Sequence, residues 1–398
     1  MKLNKDFFER LEPAIRPNYR LFLSADLVGS TALKQRYSPF DTGDADDGAL
    51  PGDAWYFFVS DFYSRFHNIF QTEVDRVLNA DDEYCSKNKG EKPCRPRLSA
   101  GRIERWKLAG DEILYSIELF SFRELHCLLI AFSNALIFFR KVLYGDVEFL
   151  AQEAFASRGY HIKTSGRYEF SNLDVKGTAW TAGFPITNKE VILSSGFSEM
   201  ETRLSSTSST GRDLYLKQAW LEQENSARHP LVVDYVGPSV DTGFRLASFA
   251  QPRKLVISIE VAHLLSNNTG DRFDELNRSY LVKNDNFRIS YDGRTPLKGV
   301  VGSRGYPIFW IDTGSDEGLS VIEDRLQDRS FSNWKDIREL CRAFFERNQR
   351  FIRAPIILDP EDQYNSQNPL CRSLSSCNKI WKSEKKRIRS RLDPYGRP

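Results

Sequence analysis

The sequence predicts an α+β protein: a mixed or antiparallel sheet flanked by helices, with insertions and a helical C-terminal extension. Three observations point there. Short apolar runs such as Leu21-Phe22-Leu23 and Ile113-Leu114-Tyr115 lie beside glycine-bearing turns, as strands do. Two long segments, near 54–79 and 120–143, either repeat apolar residues at helical spacing or run almost wholly apolar. Strands and helices then alternate irregularly, with tight hairpins, unlike the even rhythm of a parallel sheet.

Composition narrows the function classes. The 398 residues suffice for one large domain or two ordinary ones, with a sizeable core. Lys and Arg number 56 against 54 Asp and Glu, a net charge of +2, so nothing general argues for nucleic acid or membrane as a partner. Six cysteines, at 85, 94, 127, 341, 371 and 377, form no CxxC pair and no metal-ligand spacing. With no signal-peptide pattern at the N-terminus, reduced thiols and a cytoplasmic location are expected. The apolar stretch from Leu125 to Phe139 contains His126, Ser133 and Asn134 and falls short of the roughly 20 residues that span a bilayer. It reads as a buried helix.

In chain order, a lead-in with Pro13 and Pro17 gives way to a strand over 19–27, a Gly29-Ser30-Thr31 turn and the start of a helix. Residues 38–53 hold five Asp, three Gly and two Pro and lack calcium-loop spacing, so they read as a solvated loop. In 54–79, Phe58, Phe62, Phe66, Ile69 and Phe70 recur at helical spacing and predict core packing. The charged segment 80–98 reads as an inserted loop. Strand signals over 102–107 and 113–117 flank Ala109-Gly110-Asp111-Glu112, a hairpin with an acid at its tip.

A helix over 120–143, a polar connection to about 172 and a strand over 175–187 follow. The Ser/Thr-rich stretch 194–209 reads as an insertion, and a short helix is expected near 213–224. Leu231–Gly237 predicts a strand into a Gly-Pro turn, 239–250 a helix, 255–259 a strand and 297–311 a final hairpin. Beyond 314 the chain is helical and charged, amphipathic over 334–351, with a basic, partly disordered tail at 382–391. The expected division is therefore residues 1–313 as the main domain and 314–398 as the extension.

Three stretches carry chemistry. Asp26 ends a strand before a Gly-Ser-Thr turn, Asp111 tips a hairpin in Lys107-Leu108-Ala109-Gly110-Asp111, and Asp234 opens Asp234-Tyr235-Val236-Gly237-Pro238-Ser239-Val240-Asp241-Thr242-Gly243-Phe244-Arg245. A strand that delivers a carboxylate and then exposes N–H groups suits a metal and a phosphate together. In this order the stretches resemble the class III nucleotidyl cyclases, whose pattern is a first-strand Asp before a Gly-Ser/Thr turn, a Lys-x-x-Gly-Asp hairpin and an Asp-x-x-Gly-x-x-Val-Asn-x-x-x-Arg helix start. Lys176–Phe184 and Leu297-Lys298-Gly299 resemble its central strand and late Lys-Gly turn. The likeness is spread over about 19–313.

What the resemblance implies is two divalent ions, Mn²⁺ or Mg²⁺, held by Asp26 and Asp111 with the Leu27 carbonyl. Val28, Gly29, Ser30 and Thr31 would cradle the β- and γ-phosphates, and Arg245 would neutralise charge on the α-phosphate. Asp241 stands where the family has Asn. A carboxylate cannot donate to the ribose ring oxygen, so it would hold a ribose hydroxyl or a water, unless another group takes over.

Lys107 and Asp234 fall on the family's base-reading pair. A donor-only ammonium beside an acceptor-only carboxylate suits several base edges, uracil and cytosine included. Bulky Trp106, Trp180, Phe184 and Tyr235 are candidates to narrow the pocket against purines. With the insertions and Asp241, this resembles the pyrimidine cyclases of bacterial Pycsar anti-phage systems. UTP is the first substrate expected, CTP the second and purine triphosphates the third. The resemblance further implies a homodimer with shared active sites and a separately encoded cyclic-nucleotide-binding effector. A catalytically silent nucleotide-binding module is the rival. A polymerase-type palm fits less well for want of a basic face.

Overall fold

A computed structural model describes residues 15, 18–36, 54–88, 103–156, 173–185, 187–193, 208, 211, 213–218, 232–267, 289–314, 317–327, 333–355 and 370–392. The acidic segment 38–53 and almost all of the Ser/Thr-rich stretch 194–209 lie outside them. The first strands are β1 (Asn18–Val28), β2 (Glu104–Ala109), β3 (Glu112–Leu119) and β4 (Asp174–Phe184). Helices α1 (Ser30–Arg36) and α2 (Ala54–Lys87) follow β1, and α3 (Phe122–Ala156) follows β3.

Next come the short strands β5 (Lys189–Leu193) and β6 (Val232–Val236), then α4 (Pro238–Leu246), β7 (Lys254–Ile257) and α5 (Ile259–Asn267). The chain continues through β8 (Ile289–Pro296), β9 (Gly305–Asp312), α6 (Glu317–Leu326), α7 (Trp334–Arg347) and α8 (Leu370–Leu392). Seven strands form one sheet in the order β2-β3-β1-β4-β7-β9-β8, while β5 and β6 pair separately. Within the large sheet β4 and β7 are parallel and the other neighbours antiparallel, so the sheet is mixed. The α+β architecture is the one expected.

Strand alternation gives the sheet two unlike faces. From β1, Tyr19, Leu21, Leu23, Ala25 and Leu27 join the main core with Phe62, Phe66 and Phe70 of α2 and Phe132 and Phe139 of α3. Each fully buried Phe contributes roughly 1.5–3 kcal/mol of transfer free energy. The segment Phe122–Leu143 is long and apolar enough to cross a membrane by composition, yet its residues fill this core. The opposite face of β1 carries Arg20, Phe22, Ser24 and Asp26, and Phe22 lies in a second, aromatic cluster with Leu114, Trp180, Phe184 and Tyr235.

Several boundaries differ from expectation. Helix α2 continues through the charged run to Lys87, since Val77, Leu78, Ala80 and Cys85 keep one face buried while Glu83 and Lys87 are exposed. Helix α3 runs on to Ala156. The last hairpin is β8–β9; the apolar Leu297, Val300 and Val301 belong to its connecting loop and are buried there. The basic tail is the C-terminal part of α8, with Trp381 and Ile388 wholly buried. Strand β5 and helix α5 were not expected; α5 is apolar nearly all round because α7 covers it, with Ile337, Cys341, Phe344 and Phe345 in the main core.

Two arginines tie the later chain to the sheet. Arg140 of α3, 3% exposed, donates to Asp174 Oδ1 (2.7 Å) and to the carbonyls of Val175, Thr313, Gly314 and Pro252. Arg253 bridges Asp312 (2.8 Å) and Asp324 of α6 (2.9 Å to Oδ1).

Candidate active site

The two expected metal acids lie on neighbouring segments at the end of β1. Asp26 lies on the sheet face away from the main helices. Asp111 occupies the two-residue turn joining β2 and β3, where Gly110 takes φ +72, a conformation that disfavours any side chain. The Leu27 N–H donates to the Asp111 carbonyl at 3.1 Å, which fastens the hairpin tip to β1. The Ser30 hydroxyl donates to Asp111 Oδ2, and the Tyr63 hydroxyl to the Gly110 carbonyl.

Both acids have ammonium partners that the sequence did not single out. Lys176 of β4 is in register with Asp26, and its Nζ is 3.0 Å from Asp26 Oδ2. Lys34 of α1 is 3.5 Å from Asp111 Oδ1. The carboxylate side chains remain 29% and 26% exposed. Glu112, across from Asp26 on β3, accepts from the Ser24 hydroxyl. Burial raises its pKa, the Ser24 hydrogen bond opposes this, and Asp26 and Asp111 push it up while Lys176 pulls it down. Three carboxylates and at least one ammonium thus share one field.

Among the described residues, no three His, Cys, Asp or Glu side chains form a ready metal cage. Asp26 and Asp111 are hard oxygen donors, which suit Mg²⁺ or Mn²⁺. Such ions commonly use one or two carboxylates and let substrate phosphates and water complete the shell. The donor set fits that habit. Leu27 itself is buried on the helix side. The expected phosphate seat, Val28 to Thr31, is the turn into α1; Gly29 takes φ +87, Ser30 is buried, and Thr31 is exposed.

The expected base readers also meet. Lys107 Nζ lies 3.0 Å from Asp234 Oδ1. The same oxygen accepts from the Trp106 indole N–H at 3.0 Å and from the Tyr235 backbone N–H at 2.9 Å. The β2–β3 register slips between Arg105 and Lys107, a bulge that lets neighbouring Trp106 and Lys107 both reach Asp234. Lys107 Nζ sits 4.1 Å from the Trp106 ring centroid and 5.7 Å from that of Phe244, a 37% exposed side chain that the sequence did not single out.

Two of the expected base contacts are buried: Trp180 is 1% exposed and Tyr235 5%. Trp180 stacks on Phe22 at 5.5 Å and lies directly under α4, where a Cβ on Gly243 would fall 2.2 Å from its ring. Tyr235 packs edge-on against Phe22 and Trp106, and burial pushes its hydroxyl up to about 12. Both aromatics share a cluster with Val240 of α4.

Asp241 and Arg245 are exposed one turn apart on α4. Among the described residues, neither side chain bonds to Asp26 or Asp111. The helix start is held by Asn188, another residue without a sequence signal. Its Oδ1 accepts from the Ser239 N–H (3.0 Å), while its Nδ2 donates to the Gly183 carbonyl (3.0 Å). Gly243 and Asn188 therefore aim the face carrying Asp241 and Arg245.

No protein-family profile matches the sequence, and no curated protein matches it. Among solved structures the chain is similar to the adenylyl cyclase CyaB from P. aeruginosa, at 11% identity and TM-score 0.35, covering 76% of this chain and 96% of that one. It is similar to a bacterial light-regulated adenylyl cyclase at 10% identity and TM-score 0.38, covering 84% and 60%. It is also similar to the guanylate cyclase domain of RhGC from Catenaria anguillulae, solved with GTP, at 9% identity and TM-score 0.30, covering 74% and 96%. The functional reading rests on the site's own residues rather than on these distant likenesses.

Proposed function

We propose that the chain is a nucleotidyl cyclase that converts a pyrimidine nucleoside triphosphate, UTP first and CTP second, into the 3′,5′-cyclic monophosphate and pyrophosphate. The observation that carries this is the hairpin tip fastened to β1, with Asp111 bonded through its carbonyl to Leu27, the residue after Asp26. In the reaction the O3′–Pα bond forms as the bond from Pα to the bridging oxygen breaks, and the hydroxyl proton passes to water. Two divalent ions held by Asp26 and Asp111, with the Leu27 carbonyl, would activate the 3′-hydroxyl and offset the triphosphate's charge.

The chain's own groups do the rest. The N–H groups of Val28, Gly29, Ser30 and Thr31 bind the β- and γ-phosphates, and Lys34 and Lys176 turn from the acids towards the nucleotide's charge. Arg245 stabilises charge on the α-phosphate, a task suited to a fixed guanidinium. Asp241 orients the ribose through a hydroxyl or a water. Lys107 and Asp234 hold the base edge. Arg245 is exposed and, among the described residues, makes no bond to the acids of its own chain, and the site is completed by the Arg245 of a second copy in a homodimer. The cyclic product serves as a cytoplasmic second messenger for a separately encoded effector in anti-phage defence.

A silent nucleotide-binding module is the second reading, favoured by the lysines that already neutralise both acids. Incubating the purified protein with each of UTP, CTP, ATP and GTP and Mn²⁺, then identifying products by mass spectrometry, separates the two. Cyclic UMP with pyrophosphate is expected, with loss of at least about 100-fold in Asp26→Ala or Arg245→Ala. Mixing the two variants should restore part of the activity. Dominant cyclic AMP or cyclic GMP overturns the pyrimidine assignment, and no cyclic product overturns the cyclase.

A further inference from the structure

Lys107 and Asp234 alone do not choose a base, because an ammonium and a carboxylate can pair with the edge of any of the four. What fixes them is Trp106. The β-bulge turns Trp106 to the same side as Lys107, against the alternation of the strand. Its indole N–H, the Lys107 ammonium and the Tyr235 N–H all fall on Asp234 Oδ1. Among the described residues, no donor falls on Oδ2, and the Asp234 side chain is 36% exposed.

The carboxylate is thus held in one rotational setting, offering one acceptor oxygen beside one ammonium. The Trp106 ring also fills space. It is partly buried, 5.2 Å from Phe22, 5.3 Å from Tyr235 and 5.9 Å from Phe244, with Lys107 Nζ over its face. A base that reaches Oδ2 and Lys107 must do so beside the Trp106 and Phe244 rings.

We propose that Trp106 is a specificity-determining residue of the base site: its N–H sets Asp234 to present a single acceptor, and its ring with that of Phe244 limits the base to one ring. Uracil, with N3–H between two carbonyls, and cytosine, with N4–H beside N3, meet one acceptor and one ammonium without a second ring to place. The assignment rests on the nucleotide site proposed above, so its test reads binding as well as turnover.

Affinities of UTP, CTP, ATP and GTP for the full chain are measured by calorimetry with Mg²⁺, alongside product formation, for wild type, Trp106→Phe and Trp106→Leu. Melting temperatures check that the variants fold. Trp106→Phe keeps a ring and loses the N–H; it should weaken UTP about 5- to 20-fold, appearing in KM more than kcat. Trp106→Leu should narrow the pyrimidine-over-purine ratio by about 10-fold or more. Folded variants that keep the wild-type ratio and affinity, or a wild type that prefers purines, overturn the role of Trp106. Base-selective binding that changes in the variants while no protein cyclises any nucleotide supports Trp106 and overturns the cyclase instead.

Discussion

The molecule contains one side-chain constellation twice. Near the acids, Trp106, Lys107 and Asp234 meet; at the far end of the sheet, Trp310, Lys254 and Asp292 meet. In the far set each donor takes its own oxygen, the Trp310 N–H on Oδ1 (2.9 Å) and Lys254 on Oδ2 (2.5 Å). In the near set both donors converge on Oδ1. Exposure follows the same division: Lys254 is 14% exposed and Lys107 38%. The far set has both carboxylate oxygens bonded, whereas in the near set no donor falls on Asp234 Oδ2 among the described residues, the oxygen that the proposed base site would use. Residue types alone do not tell the two clusters apart; the distribution of donors does.

The sharpest way to break this contrast is to delete each carboxylate. Asp234→Ala should lower kcat/KM for UTP by about 10- to 100-fold with an almost unchanged melting temperature. Asp292→Ala, which strips the Trp310 and Lys254 donors of a partner, should cost about 1–3 kcal/mol in urea melts and leave product ratios untouched. Exchange of those outcomes would end the distinction.

A smaller effect is expected at Gly243, where an added methyl must displace the buried Trp180 ring. Gly243→Ala should cost about 1–3 kcal/mol by overpacking, and cyclase activity should fall with it because the helix bearing Arg245 is pushed off its seat. Measuring both in one preparation tests whether the aromatic floor serves the site.

The smallest effect concerns pH. His263 of α5, near the far set's side of the sheet, is pushed down to about 4 by burial, with Arg342 and Arg338 adding to it. The unfolded chain takes up this proton near pH 6.5 and the folded chain only near 4, so this contribution to stability is whole above about 6.5 and declines as pH falls towards 4. His263→Gln should flatten that decline in denaturant melts taken across the window, while leaving the base preference alone.

What the sequence disclosed follows the same physics. Asp26, Asp111 and the Lys107–Asp234 pair were legible because each sits in a short motif whose turn or strand end is local. Lys176 and Glu112 were not, because they reach Asp26 through strand register, which depends on pairing far along the chain. Trp106 was noticed for its bulk but not as a donor, since a bulge leaves little trace in an alternation pattern. Trp180 and Tyr235 were expected at the base and lie beneath α4, because only the seating of that helix on Gly243 decides which aromatics stay open. The continued helix α2 shows the same override: a buried face carried it through a segment whose composition read as loop.

The guanidinium of Arg140 has a practical consequence. It accepts nothing and donates to carbonyls at 175, 252, 313 and 314, so chain segments far apart in sequence end at one cation. Cutting the gene after residue 313, where composition draws the domain line, would remove one of those carbonyls. It would also remove Asp324 from Arg253 and Phe344 and Phe345 from the core. A fragment trimmed there should express as an aggregating or protease-sensitive chain, and minimal versions of the protein should retain at least α7.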